Sequence, residues 1–419
     1  MMKDEESDFV DEIVQSKLPQ HTSPARDDFQ PWHKVRKQFI REKQWNLLVS
    51  EMVRRYVKRQ LQTDTTDWLA DEEESDRSSE IPEGVILDRP LRCLVIPGDD
   101  LLDLRSLYKD TRPFNCYIKY LGFNQGQGSD QKRTRVDVAN NEVTSLKEVA
   151  SNSTVAPDQF QSIASTKSQA YRYMKDYGPF HVVNLDLCDS LFPSLTVDAK
   201  YYSAIHRLAE YQMKSQTVPW LLFITTQIEP SQVSVPDFSK MCTPTQHNLR
   251  AHPDFAERLA SVLPPEALQD DGAIVVISQL NDEQMIFVFG VALGKWLISL
   301  GATSSPTWVV EMLRSYRYAI RRDPFVEMLS LAFQFLPKFS PPIDKTGLSK
   351  LFVSASQPSS ELDSALKLLT AVGKIGDVDL LLKADPDLCS AMEKASADLL
   401  ESAGYDRERY LEWQGRYYD

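Results

Sequence analysis

The stretch Arg92-Cys93-Leu94-Val95-Ile96-Pro97-Gly98-Asp99-Asp100-Leu101-Leu102-Asp103-Leu104 most restricts what this chain can fold into. Its apolar run Cys93–Ile96 reads as a short buried strand. Pro97 stops the strand because it has no N–H, and Gly98 lets the chain turn sharply. Asp99 or Asp100 is placed to cap the helix that follows. A strand, a tight turn and a helix N-terminus form the unit from which open α/β sheets are built, and such sheets receive ligands at their carboxyl edge.

The same alternation continues downstream. Cys116–Phe123 reads as a second strand, Ser153–Val155 as a brief third, Phe180–Cys188 as a fourth and Pro219–Gln227 as a fifth. The fifth is almost continuously apolar, as expected of a parallel strand buried on both faces. The patterns predict helices through Tyr108, over Glu142–Ala150, over Asp158–Tyr177 and over Asp198–Lys214. Strands separated by helices predict a parallel sheet with right-handed crossovers. Residues 228–276, punctuated by Pro230, Pro236, Pro244 and Pro264-Pro265, read as a helical insertion. Asp282–Leu300 reads as a long apolar helix ending at Gly301. Leu313–Arg321 and Met328–Leu336 have strand composition with Asp323-Pro324 between them, which predicts an antiparallel pair at one end of the sheet.

Outside this α/β region, 85–340, the chain changes character. Residues 1–30 read as a poorly ordered polar lead and 63–84 as an acidic linker around Asp71-Glu72-Glu73-Glu74-Ser75-Asp76. Residues 341–419 read as a helical C-terminal region. The segment 31–62 has helical spacing and carries nine basic residues against two acidic ones, in a chain of net charge −13. Such a helix either packs its apolar stripe on the main domain and turns its basic face to water or an acidic neighbour, or it contacts the phosphates of a nucleic acid or nucleotide. Together with 347–419 it is also a candidate surface for a protein partner.

The net acidity argues against nucleic-acid binding through bulk charge. No uninterrupted apolar run is long enough to suggest a membrane span. The five cysteines are scattered, with no C-x-x-C pair, as expected of reduced thiols in a cytoplasmic protein. The six histidines show no ligand spacing for a metal, and no serine-hydrolase elbow or phosphate-binding P-loop appears.

Five largely parallel strands closed by an antiparallel pair resemble the class I S-adenosylmethionine-dependent methyltransferase fold. The resemblance covers about residues 85–340 and implies a mostly parallel, seven-stranded Rossmann-like sheet with an antiparallel last strand. In that family a glycine-rich turn after the first strand passes the methionine part of the cofactor; Ile96-Pro97-Gly98-Asp99-Asp100 stands there, with one glycine. An acid that holds the ribose hydroxyls ends the family's second strand; here the strand ends Gly122-Phe123-Asn124, and the position holds a neutral amide. The motif nearest the reacting atom is Asn184-Leu185-Asp186-Leu187-Cys188-Asp189-Ser190, without the Pro-Pro-aromatic ending of base methylases. The resemblance implies S-adenosylmethionine as cofactor, with Pro97, Gly98, Asp99, Asp100, Asn124 and Asp186 around it, and Asp186 and Asn184 as candidates to orient or deprotonate an acceptor. Two readings follow. One is a methyltransferase of unassigned acceptor. The other is a non-catalytic scaffold or interaction subunit of a cytoplasmic assembly, such as one that processes nucleic acid or serves antiviral defence.

Overall fold

Apolar runs bounded by prolines and polar turns become nine strands of one mixed sheet among the described residues. The computed structural model of the chain describes residues 25–61, 90–125, 130–192, 201–228, 233, 235–263, 280–322, 325–338 and 361–415. The acidic linker and most of the polar lead lie outside these residues. Strands β1 (Leu91–Val95), β2 (Ile118–Phe123), β3 (Thr154–Ala156), β4 (Val182–Ser190) and β5 (Trp220–Gln227) are parallel to one another. Strands β6 (Trp308–Met312) and β7 (Tyr316–Arg322) both pair antiparallel with the long strand β8 (Phe325–Pro337), which itself lies antiparallel against β5. A short β9 (Gly376–Asp377) adds to β7.

The path across the sheet is β3-β2-β1-β4-β5-β8-β7-β9, with β6 joining β8. The sheet is thus α/β and mostly parallel in its first half, with more strands than the seven expected. The antiparallel strand is not the edge of the sheet. It sits inside, because β8 is long enough to pair with β5 along one side and with both β6 and β7 along the other.

Helices cover both faces, and period-two alternation decides which residues meet them. One face packs α5 (Gln169–Tyr177), α6 (Tyr201–Ser215), α10 (Asp282–Thr303) and α11 (Glu361–Val372) over Leu94, Val183, Leu185 and Leu222. The other packs the N-terminal helices α1 (Val35–Ile40) and α2 (Leu47–Leu61), together with α3 (Leu102–Thr111) and α4 (Asp130–Thr144), over Cys93, Val95, Val182 and Phe223. The insertion is helical where described, as α7 (Val235–Met241), α8 (Thr243–Ala251) and α9 (Pro253–Ala260). The C-terminal region adds α12 (Val378–Ala384), α13 (Pro386–Glu401) and α14 (Arg407–Gly415).

Two helices differ from expectation. The helix expected over Glu142–Ala150 runs earlier, as α4, and the segment after it bridges to the start of β2, with Ile118 N–H donating to Glu148 O and Ala150 N–H donating to Ile118 O. The helix expected over Asp158–Tyr177 breaks into a 3-10 turn, Phe160–Ala164, and α5, which Ser168 caps by accepting from Tyr171 N–H.

Helix α10 is long and apolar enough to cross a membrane, yet 78% of its most apolar window is buried inside the protein. Its hydrophobicity serves the core. Gly294 lets α11 approach, since a Cβ there would overlap Leu368.

Candidate functional site

The order of the strands reverses between β1 and β4. In open α/β sheets the ligand crevice lies outside the carboxyl ends of the strands at such a switch point. Three groups of candidate residues meet this edge, and the structure sends them to three different places.

Pro97, Gly98, Asp99 and Asn124 stay together. Asn124 Nδ2 donates to Pro97 O at 3.0 Å and to Asp99 Oδ1 at 3.3 Å, stapling the ends of β1 and β2. Gly122 has a packing reason to be glycine: a Cβ would lie 3.1 Å from Pro97 Cγ and 3.0 Å from Val155 Cγ2. Gly98 is exposed, and a Cβ there would meet nothing within 4 Å. Neither Asp99 nor Asp100 caps α3. The N-cap is Leu101, held left-handed at φ 52° with no side-chain cap. That conformation costs a non-glycine residue about 1–2 kcal/mol. It is offset by complete burial of the leucine side chain, a gain of about 2 kcal/mol.

Asp100 is turned away from this corner, because stronger partners claim it. It accepts from Arg26 Nη1 at 2.8 Å, Arg135 Nε at 2.7 Å and Tyr405 OH at 2.9 Å. Burial pushes its carboxyl above the usual carboxylate range, and Arg26 pulls it back. Burial and the neighbouring Asp100 carboxylate raise the Tyr405 phenol, so it remains a donor. Arg26 and Phe29 are fixed by these contacts and by the stacking of Phe29 on Tyr405, so the expected disordered lead gives way to structure before residue 30.

Asn184 and Asp186 follow Val182 onto the face covered by the N-terminal helices, as alternation requires. There the register aligns a polar row across the sheet: Asp186 beside Thr225, Thr225 beside Ser330, Ser330 beside Tyr316. The N-terminal helices supply a matching polar row. Lys37 Nζ lies 2.5 Å from Asp186 Oδ1 and 3.4 Å from Tyr318 OH, and Arg41 Nε lies 2.7 Å from Asp103 Oδ1. Gln44 donates to Ser330 O and Arg314 O, each at 2.9 Å, and accepts from Ser330 Oγ at 2.6 Å. A π-helical segment, Arg41–Asn46, joins α1 to α2. The wider turn brings Arg41, Gln44, Trp45 and Asn46 all inward.

Burial would depress the Lys37 ammonium, but Asp186 overrides it and holds Lys37 protonated above its ordinary value. Burial raises Asp186 while Lys37 draws it back down, and burial pushes the Tyr318 phenol up to about 12. Chemically, this carboxylate is engaged as an ion-pair partner.

The basic segment therefore splits along the first of its two readings. Arg36 pairs with Asp379, Lys37 with Asp186 and Arg41 with Asp103, all acidic neighbours within the chain. Arg54 and Arg55 are exposed. In β7, Arg317 is paired with Asp377 at 3.1 Å, while the side chain of Arg321 lies outside the described residues, as does that of Cys188 in β4. Residue-by-residue reading missed Lys37, Arg26, Arg135 and Tyr405 as the groups that occupy the candidate acids. The usable signal was the coincidence of a basic helix with acids at strand ends.

A family model described as PP_RS20740-like matches residues 26–415. The chain belongs to the PP_RS20740-like family. The match begins at Arg26 and ends at Gly415, so it takes in the N-terminal segment that holds Asp100 through Arg26 and the C-terminal helices as well as the sheet. No curated protein and no solved structure matches the chain.

Proposed function

We propose that this member of the PP_RS20740-like family is a cytoplasmic, methyltransferase-like α/β protein that acts as a non-catalytic interaction subunit. The observation that carries this reading is the Lys37–Asp186 pair, with Lys37 3% and Asp186 21% exposed. The carboxylate nearest the place where an acceptor would be deprotonated is bound to an ammonium from the N-terminal helix. Asp100 and Asp103 are likewise held by arginines. An edge whose acids are spent on ion pairs favours framework over proton transfer. The neutral Asn124 at the end of β2 points the same way, since its amide is bonded to Pro97 O and Asp99. The partner is a protein, and the surface offered is the C-terminal region, where Leu380 and Leu381 of α12 are 61% and 41% exposed.

A second reading, a live S-adenosylmethionine site, is favoured by one observation: the Gly98 corner is open at the switch point. Here Gly98, Asp99 and Asn124 would meet the cofactor. Calorimetric titration of the full chain with S-adenosylmethionine, and separately with S-adenosylhomocysteine, decides between them. The interaction-subunit reading expects no saturable heat up to millimolar ligand. Saturable heat that Gly98→Trp abolishes, with the thermal midpoint unchanged, would overturn it in favour of the live site.

A further inference from the structure

Beneath the polar row lies a cavity of about 20 Å³, lined by Trp45 and Asn46 from the N-terminal helices, Asp103 and Leu104 from α3, Val95 from β1 and Asn184 from β4. Two buried polar atoms on these lining residues have no partner among the protein atoms: Trp45 Nε1, a donor, and Asn184 Oδ1, an acceptor. The residues are 3% and 6% exposed. Leaving either atom unsatisfied is unfavourable by about 1–3 kcal/mol.

We infer that this cavity is a binding site for one structural water, which accepts from Trp45 Nε1–H and donates to Asn184 Oδ1. The size suits the ligand. A volume near 20 Å³ is room enough for a water. The chemistry selects it. An unpartnered donor and an unpartnered acceptor among the lining residues call for a group that both accepts and donates, and Asp103 adds a further acceptor for the second proton. An anion would face the Asp103 carboxylate, and the cation nearest to it, Arg41, is already bonded there at 2.7 Å.

The water adds β4 to a polar contact already made between the π-helical turn and α3, where Arg41 pairs with Asp103 and Asn46 donates to Ser106 and Asp110. It also extends the ion network, since Lys37 Nζ sits 4.5 Å above the Trp45 ring. Asn184 is thereby a water ligand in the interior rather than a group facing a substrate, and this holds whether or not the Gly98 corner binds a cofactor.

The test is a crystal structure of the full chain, paired with water–indole cross-relaxation in solution. The expected result is one solvent peak within hydrogen-bond distance of both Trp45 Nε1 and Asn184 Oδ1, and a cross-peak from a long-lived water to the Trp45 indole proton. Asn184→Leu, of similar volume, should lose the cross-peak while the indole resonance remains. Should that variant fail to fold, Trp45→Phe removes the donor instead, and its crystal structure should lack the solvent peak. A cavity without density in the wild-type chain would overturn the proposal, as would an Asn184 amide rotated onto a protein partner.

Discussion

At the Asp186 corner, a carboxylate near the end of a strand meets a lysine from a helix 149 residues earlier in the chain. At the Gly98 corner, a turn on the same edge is stapled to the end of the neighbouring strand through Asn124. Both corners carry acids, and both follow a short apolar strand. They differ in which way the side chains face. Asn184 and Asp186 project onto a sheet face, where a covering helix buries and pairs them. Gly98 and Asp99 lie past the strand end, where, among the described residues, a Cβ on Gly98 would meet nothing within 4 Å. The acids on the face are framework, as is Asp100 in the turn; open space is left at Gly98.

The comparison can be broken most directly at Asp186. Asp186→Ala leaves the Lys37 ammonium buried without its partner and is expected to lower stability by about 3 kcal/mol in urea unfolding. The double variant Lys37→Met with Asp186→Leu should recover most of that loss. An Asp186→Ala chain of unchanged stability would place this corner with the open one.

The N-terminal clasp provides the next effect. His33 is 1% exposed, and burial, with Arg41 and Arg26 nearby, pushes its imidazole down to about 3 from 6.5. Above pH 6.5 both folded and unfolded chains hold it neutral. Below 6.5 the unfolded chain takes up a proton that the folded chain refuses, so stability falls with pH until about 3. The loss should reach about 2 kcal/mol by about pH 5. His33→Asn should flatten that slope in a series of unfolding curves. A parallel slope in the variant would remove His33 from the account.

Tyr405→Phe tests the clasp on Asp100 more gently. It removes one donor to a carboxylate that keeps Arg26 and Arg135, and should cost about 1 kcal/mol. The smallest effect belongs to the open corner. Gly98→Trp has space for its side chain and should change stability by no more than about 0.5 kcal/mol. A large loss there would mean that the open corner is framework too, and that the contrast is false.

Much of the fold is legible in the order of the amino acids. Alternation of apolar strands with helical patterns announces the parallel half of the sheet, because two-sided burial leaves a continuous apolar run such as Trp220–Ile224. Strand β9, two residues long, is not legible and exists only because β7 offers an edge beside it, whereas β6 is as long as β1 and lies just before the first strand expected of the antiparallel pair. The position of α4 is obscured by its polarity: only Val136, Ala139 and Val143 among its residues are buried. Of the candidate site, the facing of Asn184 and Asp186 follows from their even spacing with Val182. Their partners do not follow, since Lys37 is one basic residue among nine in its segment and spacing along a helix does not say which acid each will meet.

What the sequence determines here is local and periodic: where strands run, which residues share a face, that the thirties to fifties form a basic helix, and that Pro97-Gly98 breaks the chain at a strand end. What only the tertiary structure decides is the pairing at a distance. Lys37 with Asp186, and Arg26, Arg135 and Tyr405 around Asp100, come from segments far apart in the chain. Short-range periodicity is set by backbone geometry, which every residue carries with it. Long-range pairing is set by which buried charges would otherwise go unpaired when the layers close, and that is a property of the closed layers alone.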